Sequence, residues 1–147
     1  MNLHLGVLLV HVLGATVWTG GHLVLALSVL PRALASRSIG ELQAFEERFE
    51  KVGIPALLLQ VASGVWLATD FLPPALWFDL SSPLARSILV KLGLLLLTMG
   101  LAVDARLRLI PRLTPERLPA LAAHIIPVTV VSVLFVVLGV LFRAGGL

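Results

Sequence analysis

Four apolar stretches, each long enough to cross a lipid bilayer, limit what this chain can fold into. They run from His4 to Leu30, Val52 to Phe71, Leu84 to Val103 and Leu118 to Phe142. A hydrocarbon core about 30 Å thick needs about 20 helical residues, and every stretch reaches that length. With 59% apolar and only 13% charged residues among 147, the chain carries more apolar surface than a soluble core of this size can hide. Within lipid each backbone polar group must be paired inside the protein, so the spans should be helices. The expected fold is all-α: an integral membrane four-helix bundle of up-down topology, one domain over residues 1–147.

The charges argue for an orientation and against a nucleic-acid role. Lys and Arg number 11 against eight acidic residues, a modest excess that lies in loops. Arg32, Arg37, Arg48 and Lys51 belong to the first loop, and Arg106, Arg108, Arg112 and Arg117 to the third. The second loop has only Arg86. The positive-inside rule then puts loops one and three in the cytoplasm and both termini outside, as in the inner membrane of a bacterial-type cell. Ala33-Leu34-Ala35 resembles a signal-peptidase site, but the N-terminus lacks Lys or Arg and the apolar run before it is too long. The first span is therefore expected to be retained.

Loop chemistry adds local expectations. Ser38 and Glu41 have capping-box spacing, and Leu42, Phe45 and Phe49 follow at helical intervals beside Glu46, Glu47, Arg48 and Glu50. This reads as a short amphipathic helix with a solvated charged face, joined to the second span through a kink at Gly53 and Pro55. Ser82-Pro83 and Thr114-Pro115 each put a capping residue before a helix-starting proline. Trp77 and Phe78 suit a headgroup-level turn. Asp104 with Arg106 reads as an interfacial charge pair.

The functional signal lies in the first span. His4, His11 and His22 are separated by seven and eleven residues, within about 20° of whole helical turns, and Trp18 joins the same stripe. Imidazoles in hydrocarbon face the bundle interior and find partners. From span centres, His11 and Lys91 fall at one outer depth, while His22 and His124 fall at one inner depth. Two histidines at matched depth on different helices can ligate haem iron. The first expectation is therefore a b-type haem, one or two, with His22 and His124 as the axial pair and His11 with Lys91 or an outside ligand as the second. Gly14, Gly20, Gly21, Gly64 and Gly93 would let a flat ring approach the backbone. Such a protein would move electrons or reduce a small oxidant; its partners would be the bilayer and a redox partner such as a quinone, and a homodimer could cover an exposed ring edge. Copper is the alternative cofactor, with His4, His11 and His22 as successive sites. The chain has no cysteine, so thiolate sites and iron–sulfur clusters are excluded.

Several motifs carry a family resemblance. His11 followed by Trp18-Thr19-Gly20-Gly21 and Leu30-Pro31-Arg32 resembles the opening of CopD-type membrane domains. Glu47-Arg48-Phe49 leading to Ser63-Gly64 resembles that family's second span. Leu89-Val90-Lys91-Leu92 and the stretch from Asp104 to Pro111 resemble its third span and exit. The resemblance implies copper uptake or resistance. The His-to-Trp spacing, the Pro-Arg exit and the Lys-Leu pair are also similar to HemJ-type protoporphyrinogen oxidases, which would assign His11 and Lys91 to haem binding and activity.

Overall fold

In the computed structural model, which describes residues Asn2–Gly145, four helices long and apolar enough to span a membrane account for most of the chain. We number them α1 (Leu3–Ser36), α2 (Gly40–Phe71), α3 (Pro83–Arg112) and α4 (Pro115–Arg143). At 34, 32, 30 and 29 residues they exceed the expected spans, and the added turns cluster where the basic loops lie. We call this the basic end and the opposite one the terminal end. The amphipathic segment from Glu41 to Lys51 is the first part of α2, which continues through Pro55 without interruption.

The up-down order follows from contacts between opposite ends of successive helices. His4 meets Asp70, Arg32 meets Glu41, and Asp104 meets His124. Helix α1 packs on α2 and on α4, and α3 packs on α4, whereas α2 and α3 make little direct contact. The main apolar core is at the basic end: Leu25, Leu30, Leu42, Leu118 and Leu121 are almost fully buried there. Leu42 is wholly buried and Phe45 packs against this core. The apolar face of the amphipathic segment is thus interior.

Two helices loosen before they end. One π turn covers Leu25–Val29 and another Ala105–Leu109. Each stands two residues before a proline, Pro31 or Pro111. A proline has no N–H, and its ring collides with the carbonyl four residues back; a wider turn relieves both problems. Helix α1 then ends at Arg37, a non-glycine residue in the left-handed region with φ 51°.

Some caps form and one does not. The Ser82 hydroxyl accepts from the Ala85 amide at 3.4 Å, as its place before Pro83 suggests. Thr114 occupies the position before Pro115 in extended backbone, without a side-chain cap bond. The Ser38–Glu41 capping box is absent. Ile39 is the residue at the cap, the Ser38 amide is bonded to Ser36 Oγ, and the Glu41 carboxylate lies 3.2 Å from Arg32. The three-residue connection is too short to present Ser38 to the helix.

Candidate functional site

The three histidines of α1 lie on the face turned to α2, as their spacing requires, and each finds its partner differently. His4 Nδ1 is 2.7 Å from Asp70 Oδ2, with Trp66 and Phe71 beside its ring. His11 Nδ1 donates to the Gln60 carbonyl at 2.9 Å and lies 3.1 Å from Ser63 Oγ. Since the Ser63 hydroxyl itself donates to the Leu59 carbonyl, its oxygen is free to accept. The His11 ring rests on Gly64, where a Cβ would come within 2.9 Å of Cε1. His22 Nδ1 donates to the Trp18 carbonyl at 2.9 Å, its ring 4.3 Å from the Trp18 ring and edge-on to Phe49. A carbonyl only accepts, so in both His11 and His22 the proton is on Nδ1 and Nε2 keeps its lone pair.

His22 opens onto a chamber toward the basic end. All four helices line this cavity of about 140 Å³, which contains Trp18, His22, Glu46, Glu50, Arg106 and His124 in its wall. His22 and His124, expected at one depth, both line this cavity. Their nitrogens are not equivalent. His124 Nδ1 is 3.1 Å from the Ala120 carbonyl and Nε2 2.9 Å from Asp104 Oδ2, so neither nitrogen remains for a metal.

The arrangement does not fit the expected haem. A cavity of about 140 Å³ is below the roughly 300–1,000 Å³ of ordinary small-molecule pockets. The ring nitrogen that His124 would offer is committed to Asp104. Of the glycines expected to admit a macrocycle, three are used otherwise: Gly14 seats the Ala56 carbonyl and Gln60, Gly21 lies under Phe49, and Gly64 lies under His11; Gly20 and Gly93 have open space beside them.

The remaining candidates separate. Lys91 is not paired with Asp79; its Nζ stands 4.7 Å from the centre of the Phe142 ring. Asp79 is instead bonded to the Ser81 hydroxyl and amide, which hold its carboxyl below the ordinary range. Asp104 and Arg106 do not pair, because residues two apart on a helix point to different sides. Asp104 faces His124 and Arg108, and Arg106 reaches Glu50 of α2 at 2.8 Å. Glu47 and Arg48 are exposed as expected of a solvated face, but Glu46 and Glu50 turn into the chamber. Among the described residues no three His, Cys, Asp or Glu side chains converge as a preformed metal site.

Sequence reasoning missed the α2 side of the site: Asp70, Gln60, Ser63, Phe49, Glu46 and Glu50. The one available signal was the i, i+4 pair Glu46 and Glu50 flanking Phe49, an acidic edge beside an apolar face.

These features define a multi-pass membrane bundle whose interior carries imidazole and carboxylate groups near one helix seam. Its family can now be stated. A family model described as copper resistance protein D, CopD, matches residues 43–144, more than two thirds of the chain, and the protein belongs to that family. The match includes Lys91, Asp104, Arg106 and His124, and begins after His4, His11 and His22. No curated protein and no solved structure gives a significant match. The resemblance to porphyrinogen oxidases is not shown by these comparisons.

Proposed function

We propose that the protein handles copper within the membrane, passing the ion along α1 from His4 through His11 to His22. The observation that carries this reading is the shared posture of the intramembrane imidazoles. His11 and His22 each tie Nδ1–H to a backbone carbonyl and leave Nε2 unbonded among the described residues. Metal-binding histidines are oriented in this way by their other nitrogen, and imidazole suits copper. Membership of the copper resistance family supports the same cargo.

The successive sites are about 10 and 16 Å apart along the helix. Between the second pair lies the Gln60 side chain, packed at Gly14 one turn beyond His11. Its Oε1 is buried and has no hydrogen-bond partner among the described residues, and such an oxygen suits an intermediate contact for an ion or its water. Copper is the cargo, and the chain's own groups bind and release it. With the basic end in the cytoplasm of an inner membrane, His4 is the outer entry and the chamber the inner exit.

The test is copper flux into sealed proteoliposomes containing a copper-responsive dye. His11→Ala and His22→Ala should each lower the initial rate at least tenfold, with unchanged protein incorporation. Equal rates in the variants and the parent would overturn the reading. So would stoichiometric haem, seen as a Soret band after haem-replete expression.

A further inference from the structure

The chamber contains more charge than the passage of an ion past one imidazole requires. Glu46 and Glu50 are four residues apart on α2 and share a face, and both line the cavity with His22. Glu50 is held by Arg106, whereas Glu46 has neither an ion pair nor a hydrogen bond among the described residues. His22 is nine-tenths buried, and its unbonded Nε2 belongs to a ring that lines the same space. The Glu50–Arg106 pair is also a direct tie between α2 and α3, which otherwise hardly touch.

We propose that His22 and Glu46 form a transfer site for a borderline divalent cation of the copper(II) class, that Glu50 completes it, and that Arg106 is the internal cation occupying Glu50 until the ion arrives. This inference rests on the copper-handling reading and adds the identity of the inner site and its gate. A divalent ion held only by a neutral imidazole would be uncompensated away from water, and buried charge is costly unless paired. Two carboxylates balance it. With no ion present, the same carboxylates need a counter-charge, which the guanidinium supplies to one of them. Exchanging Arg106 for the ion therefore takes the formal charge of the two carboxylates and their counter-cation from −1 to 0, so the arriving ion completes the compensation that Arg106 supplies in part.

The pair is well placed to exchange. The Arg106 side chain is 55% exposed and that of Glu50 32%, so water weakens their attraction and the guanidinium can swing out along the open α2–α3 seam. Three donors do not converge among the described residues, and release of Glu50 by Arg106 would let it swing toward His22 and Glu46. The donor set also selects the ion. Nitrogen and carboxylate oxygen suit copper(II) or nickel(II), whereas copper(I) favours thiolate and thioether; no cysteine is present and no methionine lines the chamber.

The experiment uses the full chain in mild detergent with His4→Ala and His11→Ala, leaving His22 as the α1 imidazole. Copper(II) is titrated by calorimetry, and the bound ion is read by electron paramagnetic resonance. One equivalent with coupling to a single imidazole is expected, and His22→Ala should abolish it. Glu46→Gln should weaken binding at least tenfold, and Arg106→Gln should tighten it at least tenfold by releasing Glu50. Arg106→Lys, which keeps the internal cation, should bind like the parent. Unchanged affinity in Glu46→Gln, or unchanged or weaker affinity in Arg106→Gln, would overturn the transfer site. Such a result with copper flux intact leaves the copper-handling reading standing. The expected binding pattern without flux in vesicles supports the site and overturns the transport reading alone.

Discussion

Replacing Gly64 by alanine tests whether the His11 ring is held as tightly as its contacts imply. An added Cβ would lie 2.9 Å from His11 Cε1, 3.4 Å from Nδ1 and 3.9 Å from Nε2. Carbon atoms rest at about 3.5–4.0 Å, so the ring must move by several tenths of an ångström. That movement lengthens the 2.9 Å bond to the Gln60 carbonyl and the 3.1 Å contact with Ser63. Overpacking costs about 1–3 kcal/mol, and the hydrogen bond contributes about 1 kcal/mol of that range. Gly93→Ala is the matched control, because its Cβ meets nothing within 4 Å. In a helix this change should be neutral or stabilising by up to about 1 kcal/mol. Unfolding of the purified protein in mixed detergent and SDS micelles, followed by circular dichroism, measures both. The decisive variant is Gly64→Ala made together with His11→Ala. The three atoms nearest the new methyl all belong to His11, so without that ring the alanine should cost nothing. A coupling of about 2 kcal/mol is expected, within the range for residues in contact. If Gly64→Ala is equally costly with and without the His11 ring, the proposed seating of His11 is wrong.

Two other substitutions probe separate features. Arg37→Gly should raise the unfolding midpoint, because a left-handed residue with a Cβ costs about 1–2 kcal/mol and the larger freedom of unfolded glycine offsets only part of it; a lower midpoint would contradict the assigned helix end. Asp104→Ala frees Nε2 of His124 at the chamber wall, so copper(II) bound there should show coupling to a second imidazole nitrogen, and an unchanged single-nitrogen pattern would show that His124 cannot turn to the ion.

The spans and the histidine face were legible because both depend on properties of one helix at a time. Hydropathy marks which residues leave water, and intervals of seven and eleven place His4, His11 and His22 on one stripe. Periodicity does not say what stands opposite the stripe. The Gln60 carbonyl, Ser63 and Gly64 meet His11 only through the register of α1 against α2, a tertiary quantity. The haem expectation lacks support for the same reason. His22 and His124 do line one cavity, but one-dimensional depth could not reveal that Asp104 takes the nitrogen His124 would offer. The Asp104–Arg106 pairing was a different error: helical geometry already turns residues two apart away from each other. The amphipathic segment was half legible, since its apolar face was evident while the inward turn of Glu46 and Glu50 depends on the gap between α2 and α3.

The two π turns connect that gap to the sequence. Pro31 follows the π turn of α1 by two residues and Pro111 that of α3, although α1 runs on as α-helix to Ser36 whereas α3 ends in a 3-10 turn at Arg112. In each, the proline removes a backbone donor, and the wider preceding turn accommodates its ring. Each widened turn contributes to the chamber: Leu25 from the first, Ala105 and Arg106 from the second. The Leu25 side of the chamber is anchored, because Leu25 and Val29 are buried in the main core against α2 and α4. The α3 side is held less firmly: Ala105 and Leu109 pack against the same core, but no residue of Ala105–Leu109 is fully buried. A π turn with few packing constraints can adjust its winding at little cost, whereas one clamped in a core cannot. The asymmetry makes the helix that carries Arg106 the less deeply packed wall of the chamber, opposite the imidazole of His22. Motion of α3 at this turn would lengthen the Arg106–Glu50 contact before disturbing the bonds that orient His22, so opening the chamber need not disorder its ligand.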